Sequence, residues 1–284
     1  RPIRNSSQGF AKHSGIDVRE LALLNMFYEL SKGCTSVIAV DHEGSVFHGR
    51  NLDFGTFFMW DKSLRTWELT ALLKEMTINV RFVYRQRLLF KAVTFAGHLG
   101  ILSAVRPGEY SLSLNTRFGG TLSNLLQFLV NGLQGRQFAL YANRDMLTNC
   151  ATFEEARTYI ESVPLLANGY FIMGSSASGL VITRSYRGVD HETAIDISVR
   201  NVWYALQTNY DWNRPDLYLD NRTIPGKQCM QKLGRDRVGV EGLYKVLSSK
   251  PTLNKATVYT TIMQVDTGHL ETHIRHCEDP CWFV

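Results

Sequence analysis

The sequence predicts an α+β fold in which two stacked, mainly antiparallel sheets carry helices on their outer faces. Three observations predict it: short strand-like runs joined by tight turns come first, a block of helical patterns follows, and strand-like runs then return. With 284 residues, 44% hydrophobic and 20% charged, the chain can bury one large core, or two small ones, without metals or dense disulfides, and the element pattern reads as one domain. Repeats and low-complexity tracts are absent, and no apolar run is as long as a membrane span.

Taken in order, Gly15 to Leu30 sets Ile16, Val18, Leu21, Leu24, Phe27 and Tyr28 at helical spacing, and Lys32-Gly33 supplies a basic last turn and a stop. Thr35 to Val40, Ser45 to Asn51, Ile78 to Tyr84, Leu88 to Phe95, Gly100 to Val105 and Tyr110 to Leu114 read as strands. Helices are expected over Thr121 to Leu133, Phe138 to Thr148 and Thr152 to Ser162, the last opened by the capping box Thr152-Phe-Glu-Glu155. Strands return at Gly169 to Met173, Leu180 to Thr183, Ala194 to Val199, Trp203 to Gln207, Thr257 to Val265 and Leu270 to Cys277, with a helix near Val240 to Ser249. The segment from Leu122 to Leu133 is unusually apolar. Core packing is its ordinary use, and lining a lipid channel or resting on a membrane is the other.

A net charge of +5 suits an anionic partner, yet the basic residues are scattered and no nucleic-acid motif is present. An anionic lipid surface fits better than nucleic acid, beside the plainer reading of a solvated basic surface. The start, Arg1-Pro2-Ile3-Arg4, lacks the apolar segment of a signal peptide, so a leader has been removed or was never there.

Of five cysteines, Cys277 and Cys281 bracket a short loop in which Pro280 limits the backbone, as a small disulfide would, and this favours a secretory compartment. His269, His273 and His276 beside the same two cysteines offer a zinc site instead. Strand alternation argues against zinc, because it puts His269, Glu271, His273 and Arg275 on a solvated face opposite Leu270, Thr272 and Ile274. No metal or other cofactor is expected. Cys150 reads as a buried thiol.

The chemistry gathers at Cys34. A two-residue turn at Glu43-Gly44 would pair Val40 with Phe47 and, at the open end, Cys34 with Asp53. Alternation then aims Arg50 at the other face unless a bulge at Gly49 redirects it. Residue types alone leave two readings open, a buried structural thiol or a reactive one beside a cation and a carboxylate.

The run Cys34-Thr-Ser-Val with His48-Gly-Arg-Asn-Leu-Asp53 resembles the start of the catalytic subunit in the acid ceramidase family and its sister family of N-acylethanolamine acid amidases. The resemblance continues through Thr94-Phe-Ala-Gly-His-Leu-Gly100, Gln207-Thr-Asn-Tyr-Asp211, Leu219-Asp-Asn-Arg222, Val258-Tyr-Thr-Thr261 and Cys277-Glu-Asp-Pro-Cys281. The last motif and the insert from Trp60 to Leu73 favour the ceramidase branch. It implies the αββα sandwich of N-terminal nucleophile hydrolases, with residues 1–33 the end of an α-subunit or pro-segment and 34–284 the catalytic β-subunit, together one globular domain. It also implies self-cleavage of the Gly33-Cys34 bond, which frees an amine on the nucleophilic residue itself to serve as its base.

By that resemblance Cys34 attacks the amide carbonyl of ceramide, Asp53 holds the amine, Arg50 favours the thiolate, Asn209 donates to the oxyanion and Arg222 steadies the site. Asn115 is a further candidate for substrate or oxyanion contact. The implied partners are the lipid amide, an anionic lysosomal membrane surface, a lipid-presenting activator protein and the remainder of the α-subunit, in a lysosomal or secreted setting. Cys229 is implied to bridge to a cysteine outside this segment.

Taken singly, Asp53 and Asn209 read as turn residues and Arg222 as a surface ion pair. Thr116 stands where the family carries a glutamate. Of two sequons, Asn5-Ser-Ser7 is the candidate for a glycan, while a sugar at Asn221-Arg-Thr223 would obstruct Arg222. The rivals are an amidase for N-acylethanolamines or bile-acid-like conjugates, and an inactive or permanently uncleaved lipid-binding relative. Papain-type proteolysis is weaker, because no histidine has a supporting motif.

Overall fold

The computed structural model describes residues 33–54, 60–117, 135–199 and 202–282, together with Gly9, Lys12, His13, Gly15 and Asp17. Apart from Gly15 and Asp17, the helices expected over Gly15 to Leu30 and Thr121 to Leu133, and the Asn5 sequon, lie outside the described residues.

Strands β1 (Gly33–Val40) and β2 (Val46–Asp53) are buried along nearly their whole length. Their side chains alternate between two different cores. Ile38, Val40 and Val46 face inward against Tyr170, Ile172 and Val181, while Val37, Ala39 and Phe47 face outward against Met230, Leu243 and Leu247. The chain continues through β3 (Trp60–Asp61), β4 (Thr66–Trp67), α1 (Glu68–Met76), β5 (Thr77–Tyr84), β6 (Arg87–Phe95), β7 (Ser103–Arg106) and β8 (Tyr110–Thr116). Helices α2 (Ala139–Asn149) and α3 (Phe153–Ser162) follow, then β9 (Gly169–Gly174), β10 (Gly179–Ser185), β11 (Gly188–Ala194) and β12 (Tyr204–Gln207). Last come α4 (Thr223–Leu233), α5 (Val240–Leu247), β13 (Thr257–Gln264) and β14 (His269–Ile274).

Five strands form one sheet in the order β12-β1-β2-β13-β14, and seven form the other in the order β11-β10-β9-β8-β7-β6-β5. All their pairings are antiparallel. The sheets meet through β1 against β8, β9 and β10. Helices α4 and α5 cover the five-stranded sheet, and α2 and α3 the seven-stranded one. This is the expected αββα sandwich. Among the described residues no helix is long and apolar enough to cross a membrane.

Most predicted elements form. The capping box opens α3, with the Thr152 side chain accepting from Glu155 N–H and the Glu155 carboxylate accepting from Thr152 N–H. The first hairpin, by contrast, is not turned at Glu43-Gly44. Its loop spans 41–45, held by Ser45 N–H to Asp41 Oδ1 at 2.8 Å and by Gly44 at φ 89°. Val40 therefore pairs with Val46 and Cys34 with Leu52, one residue short of the expected register. A slip of one residue changes which side chains share a face.

The strand expected over Ala194 to Val199 is displaced. The strand is β11, whose sequence Gly-Val-Asp-His-Glu-Thr-Ala is largely solvated at the sheet edge and so carries no apolar pattern. Helix α4 escaped the pattern as well, because it begins directly after Arg222 and takes Pro225 in its first turn, where a missing N–H costs nothing. At the end of β14 the expected faces are reversed: Ile274 is exposed, and Arg275 is buried over the Tyr244 ring at 4.6 Å. Helix α5 supplies that cover, also placing Tyr244 4.8 Å from His273.

Candidate active site

The corrected register puts Cys34, Ser36, Arg50 and Leu52 on the inner face of the hairpin. No bulge is needed. Gly49 is a glycine for another reason: a Cβ there would come within 2.8 Å of Leu247 Cδ1 on α5. Arg50 is fully buried, and its Nη2 donates to Cys34 Sγ at 2.9 Å and to Leu114 O at 2.7 Å. Its Nη1 donates to Leu102 O at 2.6 Å and Ser103 Oγ at 2.8 Å. Burial alone would lower the Arg50 pKa, but the charges of Cys34, Tyr259 and Asp53 and the bond to Cys34 raise it above its ordinary value. A permanent cation thus touches the thiol.

Asp53 lies on the opposite face of β2, beside Gly33. Its Oδ1 accepts from Thr257 Oγ1 at 2.7 Å, and its Oδ2 from Asn254 Nδ2 at 3.2 Å and Arg222 Nη1 at 3.3 Å. Burial pushes its carboxyl up from the usual range, against the pull of Arg222 and the two hydrogen bonds. Asn254 and Thr257 carried no sequence signal, since Thr257 read only as a strand start and Asn254 as part of a loop.

Arg222 is not a surface ion pair, being 1% exposed. Asp220 grips it from Nε at 2.6 Å and Nη2 at 2.9 Å, which accounts for the spacing within Leu219-Asp-Asn-Arg222. Its remaining donors reach Cys34 O at 2.7 Å, Thr35 Oγ1 at 3.2 Å and Asn209 Oδ1 at 2.7 Å. Asn209 Oδ1 in turn accepts Cys34 N–H at 2.8 Å, and Asn209 Nδ2 donates to Thr116 O at 2.7 Å. The acceptor for the Cys34 N–H is therefore Asn209 and not Asp53. Arg117 ties the same loop down with a two-bond grip on Asp211 at 2.7 and 3.0 Å.

Between the sheets runs a polar seam that sequence reasoning missed. His48 Nδ1 and Nε2 bond Ser111 and Ser113 at 2.9 and 2.8 Å, Ser113 Oγ donates to Ser36 Oγ at 2.9 Å, and Ser36 Oγ donates to Asn115 Oδ1 at 2.8 Å. Both ends of the Asn115 amide are engaged, its Oδ1 by Ser36 and its Nδ2 donating to Gln207 O at 2.8 Å and Thr208 O at 3.2 Å. The only advance signal was spacing: His48, Ser111 and Ser113 sit at inward positions of strands that face each other.

Elsewhere, Cys277 and Cys281 form a disulfide, which removes both from the zinc set, and His269 and His273 each lie 3.2 Å from a Glu271 oxygen. Cys150 is a buried free thiol and Cys229 a half-buried one on α4. Cys34 itself is fully buried.

The family model of linear amide C–N hydrolases, choloylglycine hydrolase family, matches residues 34–189 and begins at Cys34. A probable acid ceramidase of Caenorhabditis elegans is 41% identical over 286 residues, covering 99% of this chain and 71% of that protein. Acid ceramidase of Homo sapiens is 39% identical over 290 residues, with the same coverage of 99% and 71%. The solved structure of a Caenorhabditis elegans N-acylethanolamine-hydrolyzing acid amidase ortholog matches with TM-score 0.72 and 31% identity, covering 86% of this chain and all of that one. A mutant conjugated bile acid hydrolase from Clostridium perfringens, at TM-score 0.51 and 8% identity over 85% of this chain and 89% of that one, shares the fold. The chain belongs to the acid ceramidase family of linear amide C–N hydrolases.

Proposed function

We propose that the chain hydrolyses the amide bond of ceramide to sphingosine and free fatty acid, with Cys34 as nucleophile, after cutting itself between Gly33 and Cys34. One observation carries the reading: all three polar groups of Cys34 are held by side chains of the proposed site. Arg50 addresses the sulfur at 2.9 Å, Asn209 the nitrogen at 2.8 Å and Arg222 the carbonyl oxygen at 2.7 Å. The acid ceramidase relatives support the choice of substrate.

In the uncut chain the Cys34 nitrogen is an amide and cannot accept a proton. Self-cleavage begins when Sγ adds to the Gly33 carbonyl carbon. The C–N bond breaks, the nitrogen takes up the proton the thiol gave up, and water hydrolyses the thioester to leave a Gly33 carboxylate. Asp53, beside Gly33 and with its carboxyl pushed up by burial, is the group proposed to move that proton.

The freed amine, of ordinary pKa near 8, then takes the thiol proton. Sγ attacks the lipid amide, and the amine passes its proton to the departing sphingoid nitrogen. Water hydrolyses the acyl-thioester and releases the fatty acid. The Asn209 Nδ2 end is proposed to donate to the oxyanion, a contribution of about 3 kcal/mol in comparable sites. Arg50 stabilises thiolate, and Arg222 keeps Asn209 and the Cys34 carbonyl in place. The proposal includes a lysosomal or secreted location, an anionic membrane surface and a lipid-presenting activator as partners, and a bridge from Cys229 to an α-subunit remainder.

Intact mass of the purified protein tests the cut, which should fall at Gly33-Cys34. Cys34→Ala should abolish both the cut and ceramide hydrolysis, and an uncut yet active protein would sink the mechanism. A second reading, an N-acylethanolamine amidase, is favoured by the amidase structure at TM-score 0.72. Turnover of ceramide against an N-acylethanolamine separates the two, and retention of ceramide without turnover would indicate a binding relative.

A further inference from the structure

Lys255 is 6% exposed, and nothing in the chemistry above uses it. Its Nζ donates to Cys277 O at 2.7 Å and pairs with Asp279 Oδ1 at 2.9 Å, while Asp279 Oδ2 is held by Arg65 at 2.8 Å. Both acceptors belong to the loop that the Cys277–Cys281 disulfide closes. The Lys255 main chain is fixed too, its N–H donating to Trp282 O at 2.8 Å and its carbonyl accepting from Thr66 Oγ1 at 2.8 Å.

On either side of Lys255 stand the two residues that hold the Asp53 carboxylate, Asn254 at 3.2 Å and Thr257 at 2.7 Å. The turn is internally stitched: Ala256 N–H donates to Asn254 Oδ1, and Asn254 N–H to Thr257 Oγ1. It is bolted to the strand end by Phe54 N–H to Ala256 O at 2.8 Å. A buried ammonium is costly unless fully partnered, so a lysine retained there defines a position better than it stabilises a core. A cavity of about 630 Å³, lined by Lys74, Ile274, His276 and Lys255 itself, lies alongside and gives an unheld side chain somewhere to swing.

We propose that Lys255 is a positioning residue for Asp53: anchored to the disulfide-closed loop through Cys277 O and Asp279, it fixes the 254–257 turn that aims Asn254 and Thr257 at the carboxylate. The inference deepens the amidase reading and rests on it for Asp53's part in catalysis. The charged groups facing Asp53 are Arg222 at 3.3 Å and, at longer range, Asp220 and Arg50, and none of them changes in the test.

The test follows the Asp53 carboxyl ¹³C resonance against pH in the full chain, which needs neither cleavage nor substrate. Lys255→Met should raise the Asp53 titration midpoint by about one pH unit, because donors to the ionised form are misaligned. Lys255→Arg should restore most of it. Asp279→Asn, at an exposed position, should shift it in the same direction and serves where Lys255→Met fails to fold. In cut enzyme the acid limb of ceramide hydrolysis should move with the resonance. A variant that melts earlier while its Asp53 midpoint stays put would overturn the proposal and leave Lys255 a structural residue. A wild-type chain that neither cuts nor hydrolyses would defeat the amidase reading, and the Asp53 midpoint would still decide this one.

Discussion

Arg50 Nη2 stands 2.9 Å from Cys34 Sγ because β1 and β2 pair Cys34 with Leu52 and Ser36 with Arg50, putting nucleophile and cation on the same inner face. The guanidinium also reaches Leu102, Ser103 and Leu114 of the facing sheet. A single side chain therefore touches both the thiol and the facing sheet.

Arg50→Lys should separate these two duties. A lysine keeps the charge, yet its three donors on a compact head cannot span Cys34, Ser103 and two carbonyls as a planar fork does. In cut enzyme kcat is expected to fall about 100-fold with little change in KM, the pattern of an interaction made to the reacting thiol. Arg50→Leu should also lose about 3 kcal/mol of stability, because the buried hydrogen bonds from the guanidinium to Leu102 O, Ser103 Oγ and Leu114 O are lost together. Steady-state kinetics and denaturant unfolding read the two effects.

Gly33→Ala should slow self-cleavage selectively. A Cβ at residue 33 would lie 3.2 Å from Asp53 Cβ, so Asp53 must give way at its Cβ by a few tenths of an ångström. A misplacement of about 1 Å at a reacting bond can cost about 100-fold, so for this smaller one a fall of about tenfold in the cutting rate is expected. Residue 33 is no longer attached to Cys34 once the bond is cut, so matured enzyme should hydrolyse ceramide at the wild-type rate. Time courses of intact mass and of product formation distinguish this from a general loss of folding.

The sandwich was legible because its strands and helices carry their own periodicities, and Cys34, Arg50, Asp53, Asn209 and Arg222 were legible because the motifs around them resemble a known family. What failed was geometry that a turn decides. Asp41 caps a five-residue loop where Gly44 suggested a two-residue one, and that single residue exchanged the partners of Cys34. Asn254 and Thr257 were invisible for another reason: they reach Asp53 across some two hundred positions, and such contacts leave no local pattern. Taken singly Arg222 read as a surface pair, which shows the same limit, since burial of a charged side chain is a property of what packs over it.

His48 gives the pH dependence a definite sign. Burial first, and the Arg50 charge second, lower its pKa from 6.5 to about 3 in the fold. Between those values the unfolded chain binds a proton that the folded chain refuses, so stability is fully present above about pH 6.5 and falls as pH drops toward 3. Each pH unit within the window is worth about 1.4 kcal/mol, which makes the loss between pH 7 and pH 4.5 about 3 kcal/mol. Glutamine can bond Ser111 and Ser113 without titrating, so His48→Gln should flatten the profile by about that amount, whatever it costs at pH 7. Urea unfolding at the two pH values measures the difference. Equal losses in wild type and variant would mean that His48 is already protonated in the fold, and that Ser111 and Ser113 both accept from an imidazolium beside Arg50.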